Sequence, residues 1–489
     1  MQPDSHIANK RTLWWVYGWC AVFLAANTVC MLNEFYWLNL LPAVLLVAAL
    51  AIFALDKLLL ICVFLTPLSV VLADQDIRIG LSLPVEPLLA GILLLMLLKF
   101  IQQGKFDRRF LAHPVTIAVL FNMAWIAVTT MTSEMPLVSL KFLIARLWFV
   151  VPFYFLGVQL FRNMSNVRRF LWLYILPFTI VIGYTIFNHS LYGFDQDSAH
   201  WVMSPFYNDH TAYGAALAMF YPAIIAFTMS RRYGINVRII AGLLLLIFTT
   251  ALIFSYTRAA WVSLIGALML FAILRLRIKF IYIAGVGITA IAILLFSWTD
   301  IVMKLEKNRQ DTSDDLAEHI ESISNISTDA SNLERLNRWS SAMRMFDERP
   351  FFGWGPGTYS FQYAPFQLSG EKTIISTNAG DLGNAHSEYI GPLCESGVFG
   401  LLSMLGVVIT IIWTGWRLYH RMQPGEMRSV LLAVLLGLVT YFIHGTLNNF
   451  LDTDKAAIPF WAFAAMLVSA DLWLVPQKKS ESGQSSEVS

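Results

Sequence analysis

The chain has 489 residues, of which 57% are hydrophobic and only 13% charged, with a formal net charge of +2. A soluble domain carries about 25% charged residues, whereas the apolar residues here gather in blocks of about twenty, the length that crosses the hydrocarbon of a bilayer. Secreted, disordered and nucleic-acid-binding classes are excluded, so no nucleic-acid partner is expected and membrane lipids are the immediate surroundings.

Taken in chain order, hydropathy predicts fourteen spans, near 13–32, 36–54, 58–73, 83–100, 114–131, 141–161, 170–187, 211–229, 239–255, 259–274, 280–298, 391–416, 429–447 and 456–475. The first follows a basic stretch, but its apolar run is too long for a signal peptide and no small-residue cleavage site follows it, so it counts as a helix. The fold expected is an all-α polytopic membrane protein with about fourteen transmembrane helices, twelve being the lower count, and one large outer loop. Residues 1–298 hold about eleven N-terminal helices, 299–390 the outer loop with an amphipathic helix, 391–475 about three C-terminal helices, and 476–489 a disordered cytoplasmic tail rich in Ser and Glu. Cys20, Cys30 and Cys62 fall in apolar blocks and Cys394 at the edge of one, so neither a disulfide framework nor a Cys-based metal site follows.

Charge orients the chain. With the N-terminus inside, 21 of the 34 basic residues fall on cytoplasmic segments, as the positive-inside rule requires. The short outer segments hold only Arg78, Lys141, Arg258 and Lys455, and Arg146 lies within a span. Both termini are therefore expected in the cytoplasm.

The outer loop begins with a Ser/Asp/Asn-rich lead-in, 304–332, that has little periodicity. Leu333, Leu336, Trp339, Met343 and Phe346 then recur at three- and four-residue spacing, which predicts an amphipathic helix lying on the membrane or on the bundle, with Arg335, Arg338 and Arg344 on its other faces. Arg349-Pro350 ends it, and Gly353-Trp354-Gly355-Pro356-Gly357 makes turns in which backbone can approach a ligand closely.

Polar residues converge on the outer leaflet: Lys141 and Arg146, Asp209 and His210, Arg258, then His444 and Asn448. Half-burying cations in this way is costly unless an anion or a cavity receives them, so an anionic ligand is expected on that face. Arg258 could hold phosphate oxygens bidentately; by position alone it reads equally as an interfacial arginine beside a Trp belt. Arg335 has the alternative of a solvated face next to Glu334. His386, in Asn384-Ala385-His386-Ser387-Glu388-Tyr389, could take a proton from a hydroxyl, with Glu388 or a backbone carbonyl orienting its tautomer, or it is an ordinary loop histidine. The loop carries fourteen acidic against eight basic residues, so an anion site there must be made by particular arginines. No P-loop, dinucleotide-binding glycine motif, HExxH or Cys/His cluster is present.

In order, Tyr256-Thr257-Arg258-Ala259-Ala260-Trp261, Glu334-Arg335-Leu336-Asn337-Arg338-Trp339, Arg349-Pro350-Phe351-Phe352-Gly353-Trp354-Gly355-Pro356-Gly357, and Asn384 to Tyr389 with Glu395-Ser396-Gly397 beyond, resemble the O-antigen ligase and polymerase superfamily of bacterial envelope proteins. The likeness covers roughly 207–408. Its turn is commonly Ser-Arg-Gly where this chain has Thr257-Arg258-Ala259, and twelve spans are usual for the ligase branch.

The resemblance implies a multi-pass enzyme of the bacterial inner membrane that moves a glycan from an undecaprenyl-diphosphate carrier to an acceptor hydroxyl on the periplasmic face. It implies diphosphate-binding roles for Arg258 and Arg335 and a catalytic role for His386, with Arg146, His210, Arg338 and Glu388 as further candidate substrate-binding residues. The acceptor is lipid A-core for a ligase, or a second carrier-linked glycan for a polymerase. No metal and no cofactor are called for, and direct displacement inverts the anomeric centre. A lipid-glycan flippase or transporter is the reading from another class; it expects ionisable residues near midplane in broken helices and repeated halves.

Overall fold

In the computed structural model the described residues are 5–74, 79–103, 107–279, 281, 282, 285, 289, 330–372, 376 and 383–476. The expected span at 280–298, most of the polar lead-in and the tail from 477 lie outside them. Among the described residues eleven helices are long and apolar enough to cross a membrane, which makes this an all-α polytopic membrane protein. The only strands described form one short hairpin.

The N-terminal helices are α1 (Ser5–Leu32), α2 (Leu41–Phe53), α3 (Leu55–Leu65), α4 (Val85–Gln103), α5 (Arg108–Leu111) and α6 (Pro114–Met131). Then come α7 (Pro136–Val150), which runs through a π-turn into α8 (Gly157–Leu160), α9 (Met164–Ser190), α10 (His210–Met229), α11 (Ile235–Phe254) and α12 (Arg258–Arg275). The outer loop contributes α13 (Ala330–Glu348) and α14 (Tyr359–Gln362), and the C-terminal part α15 (Ile390–Arg421), α16 (Glu426–His444) and α17 (Asp454–Ser469). Local sequence sets several starts. Pro114 takes the first position of α6 behind His113, whose side chain caps Val115 N–H, and Asp209 caps α10 by accepting from the N–H groups of Thr211 and Ala212.

Met1–Ile61 is one compact unit and Cys62–Ser489 a second. In the first, α1 and α2 are joined by a 3-10 turn, Tyr36–Leu40, and Asn27 donates to Asn39 across it at 2.8 Å. Its Trp14, Trp15, Trp19 and Trp37 are exposed, which suits residues that meet lipid and headgroups.

The third expected span, 58–73, is not one. Helix α3 has only 11 residues; Pro67 sits in a 3-10 turn after it, and Val70–Asp74 pairs antiparallel with Ile79–Leu83, Val70 opposite Leu83. Hydropathy cannot tell a buried strand from a helix over so short a run. The carbonyls freed where the helical turn stops are met by Lys455 Nζ, which donates to Thr66 O at 2.6 Å and Ser69 O at 2.7 Å. The fourth expected span, 83–100, falls on α4, a helix of 19 residues.

In the second unit α17 is the central post: every residue from Asp454 to Ser469 is buried. Lipid gives helices no hydrophobic reason to associate, so they rely on close packing and small residues; Ala456, Ala457, Ala462, Ala464 and Ala465 supply them here. Helix α10 packs against α11, α12 and α16, and α6 against α15. The long helix α15 breaks at Gly397, which has φ +69°, and into this break docks the turn after α13. Val398 N–H donates to Pro350 O at 2.8 Å and Gly355 N–H to Glu395 O at 2.8 Å. A Cβ on Gly397 would lie 2.1 Å from Phe351 O, so only glycine lets the two backbones meet.

Helix α13 forms where expected but presents another face. Its buried side chains are Glu334, Asn337, Arg338, Ser341, Ala342 and Met345, whereas Met343 is exposed and Leu333, Leu336, Trp339 and Phe346 are half-buried. Arg338 therefore belongs to the packed face, not to an outer one. Polar burial is tolerable because it is paired: Arg338 Nε donates to Glu334 at 2.8 Å, and Asn337 Nδ2 to Gln367 Oε1 at 2.9 Å.

Candidate functional site

Helix α12 starts at Arg258, two residues after Tyr256, whose φ is 49°, a left-handed conformation uncommon outside glycine and worth attention at a site. Thr257 Oγ1 donates to His210 O at 2.8 Å, tying the head of α12 to the head of α10. The two heads touch because residue 214 is glycine: a Cβ there would be 2.7 Å from the Thr257 side chain. Arg258, half-buried, is thereby held beside Asp209 and His210, and the His210 ring meets His200 edge-on at 4.1 Å.

His444 ends α16 and is buried, with Nε2 at 3.2 Å from Asn448 Nδ2 and Nδ1 without a hydrogen-bond partner. Asp209, His210 and Arg335 lie close enough to act on its charge. Polar groups from α10, α16 and α13 thus come near one another at one end of the bundle.

Helix α13 carries Arg335, half-buried, one turn before Trp339, whose Nε1 donates to Ala385 O at 3.0 Å. Arg338 donates from Nη1 to Asn384 O at 3.2 Å while keeping its ion pair with Glu334. Between these two carbonyl anchors and Ser387 stands His386, with φ 46° and its N–H bonded to Asn384 Oδ1 at 3.0 Å. Burial, then the cations Arg338 and Arg335, push its imidazole down to about 4, against a weaker pull from Asp209 and Glu334. At neutral pH it is an uncharged base within electrostatic reach of two guanidinium groups. Such a histidine can receive a proton from a hydroxyl, while Arg335 stabilises an anion nearby.

A cavity of about 490 Å³ lies against the same loop: Asn384, Ala385, Ser387 and Glu388 line it, and His386 does not. Its charged walls are Glu86, Lys141, Arg146, Glu388, Glu395 and Asp452, and Phe142, Trp148 and Tyr359 add ring surface. Asp452 is exposed and opens onto this space; the protein crowded around it, and then Glu388, push its carboxyl up to about 6. Three of the carboxylates are engaged by the fold: Glu86 accepts from Ser82 N–H at 3.0 Å and Glu395 from Tyr359 N–H at 2.9 Å. Glu388 Oε1 accepts from Tyr441 OH at 2.6 Å and from the N–H groups of Phe450 and Leu451, both at 2.8 Å.

The sequence candidates therefore divide. Arg335, Arg338 and Asp209 lie close enough to act on the charge of His386, and Arg258 heads the helix that Thr257 ties to the backbone of His210. Arg146 and Lys141 line the cavity instead, away from His210. Glu388 clamps the α16–α17 connection, and Arg338 holds the histidine loop. Asp452 is absent from the sequence candidates and Glu395 enters them only as part of a motif, although each carries a signal: Glu395 is a carboxylate within an apolar span, and Asp452 lies in the segment 448–455 between two spans.

Residues 242–405 match the family model described as O-antigen ligase. The matched stretch takes in Arg258, α13 with Arg335, the glycine-rich turn and the His386 loop, so the resemblance to the O-antigen ligase superfamily holds where the site is built. No curated protein matches the chain.

Proposed function

We propose that this membrane protein with the O-antigen ligase signature joins a glycan from undecaprenyl diphosphate to a hydroxyl of lipid A-core on the periplasmic face of the bacterial inner membrane, without metal or cofactor. Activity of the O-antigen ligase and polymerase type follows from the family match in general; donor, acceptor and chemistry are our reading. The observation that carries it is the histidine loop held on α13 by Arg338 and Trp339, with Arg335 and Asp209 close enough to act on the charge of His386. The acceptor O–H gives its proton to the His386 imidazole as its oxygen bonds to the anomeric carbon. The bond from that carbon to the diphosphate oxygen breaks, and Arg258 and Arg335 stabilise the charge on the departing lipid diphosphate. Attack opposite the leaving group inverts the centre.

A polymerase must hold two lipid diphosphates. Lys141 and Arg146, the cations for a second one, share their cavity with Glu86, Glu388, Glu395 and Asp452, and this surplus of carboxylates disfavours a second diphosphate, which supports the ligase. A flippase expects ionisable groups at mid-helix, whereas Arg258, Asp209, Arg335 and His386 stand at helix heads, on the loop helix or in a loop. Purified protein should transfer glycan from a lipid-diphosphate donor without ATP. In the host, deleting the gene should leave long chains on the carrier and bare core at the surface. Core bearing a single repeat would indicate a polymerase instead, and unchanged surface glycan with no redundant homologue would refute both.

With both termini cytoplasmic, a topology reporter fused after Gln477 should score as cytoplasmic and one inserted near Ser327 as periplasmic. The opposite result at either position would put the arginines and His386 on the wrong side for a periplasmic donor.

A further inference from the structure

The cavity beside the histidine loop is not used by the chemistry above, and the two cations singled out on α7 end in it. Its walls have the composition of a carbohydrate site. Carboxylates can accept from hydroxyls, Lys141 and Arg146 can donate to them, and Phe142 and Trp148 add ring surface for C–H groups. A volume of about 490 Å³ falls within the roughly 300–1,000 Å³ of small-molecule sites. Two of its wall residues each keep a polar atom without a hydrogen-bond partner: Trp148 Nε1, a donor, and Asn449 Oδ1, an acceptor. A ligand that both donates and accepts at many points suits such walls, and a polyhydroxyl sugar does so without adding charge.

We infer that this cavity is the subsite for sugar residues of the acceptor glycan, with Asp452 and Arg146 as the side chains that hold their hydroxyls. The inference rests on the transfer reading, which fixes which glycan lies on which side. In an inverting displacement the attacking hydroxyl and its base stand opposite the leaving diphosphate. Here Arg258, Arg335 and His386 are absent from the cavity wall, whereas the residues on either side of His386 in the 383–389 loop line it. Donor sugars belong with the arginines that hold their diphosphate, so the cavity falls to the acceptor. Asp452 is the one wall carboxylate for which the fold supplies no backbone N–H or hydroxyl from another residue, among the hydrogen bonds of the described residues.

The experiment is direct binding of the water-soluble core oligosaccharide, released from the host's lipid A-core by mild acid, to full-length protein in nanodiscs. The wild type should bind it, and Asp452→Asn and Arg146→Gln should each weaken binding about tenfold or more, the loss expected for one hydrogen bond to a charged group. Ser360→Trp keeps every charged wall residue but fills the cavity from α14, and should block binding. Arg258→Lys should keep this binding while losing transfer. Thermal unfolding checks that each variant is folded, and the tryptophan variant stands in should a polar one fail. Wild-type binding in all three folded cavity variants, or no binding by the wild type at millimolar oligosaccharide, overturns the proposal. Because binding is read without a donor, an absence of transfer in the wild type would count against the ligase reading alone.

Discussion

His386→Asn is expected to lower the turnover of glycan transfer by about 10²–10⁴-fold, the contribution of one positioned base. Asparagine is the apt replacement because it tolerates the φ of 46° that this position requires; alanine would mix lost chemistry with backbone strain. The pH profile follows from the surroundings of the imidazole. Its pKa is lowered, so the reactive neutral form persists from neutral pH down to about 4, and kcat/KM should stay level there and fall only on the acid side. A bound diphosphate offsets Arg335 and Arg338, so the acid limb of kcat should lie higher than that of kcat/KM. In Arg335→Gln the imidazole pKa, followed by NMR, should rise because a repelling cation is gone. A folded His386→Asn enzyme retaining more than about a tenth of wild-type turnover would remove this residue from the mechanism.

The second large effect concerns the two arginines. Arg258→Lys and Arg335→Lys keep the charge but lose the planar fork that meets two phosphate oxygens at once. Each should cost about 10²–10³-fold in kcat/KM, as for the loss of one electrostatic donor in a transition state. Arg344→Lys is the comparison: its guanidinium is paired with Glu371 at 3.1 and 2.5 Å and bonded to Phe366 O, so transfer should be little changed. Full activity in both Lys variants at normal expression would reduce Arg258 and Arg335 to interfacial anchors.

Much of this architecture was legible because a membrane imposes a length. Runs of about twenty apolar residues became helices with ends close to those expected, from α6 through α12 and again from α15 to α17. The exception, 58–73, is a segment whose apolar run is cut by Pro67 and whose freed carbonyls are satisfied by Lys455, nearly four hundred residues away. Periodicity also found α13 but not its orientation. Apolar spacing pointed Leu336 and Trp339 inward, whereas the bundle takes the Glu334–Arg338 pair and Asn337, a choice that depends on Gln367 and Asn384 being there to meet them. The motif residues could be read because their types are chemically pointed. The cavity could not, since Glu86, Arg146, Glu395 and Asp452 come from four separate elements and no local pattern links them.

The docking of the glycine-rich turn into the broken helix α15 bears on how such proteins can be recombined. The long loop is no detachable module: the N–H of its buried Tyr359 is answered by Glu395, its buried Glu388 by Tyr441, and at the surface its Arg349 by Glu134 between α6 and α7. Excised alone, it would carry buried polar groups whose partners stayed behind in the membrane. Grafted alone into a relative, it would meet a helix break cut for another turn. Specificity in this architecture can therefore be exchanged only in blocks that carry the loop together with the helices from α15 to α17, and loop and bundle must diverge in step.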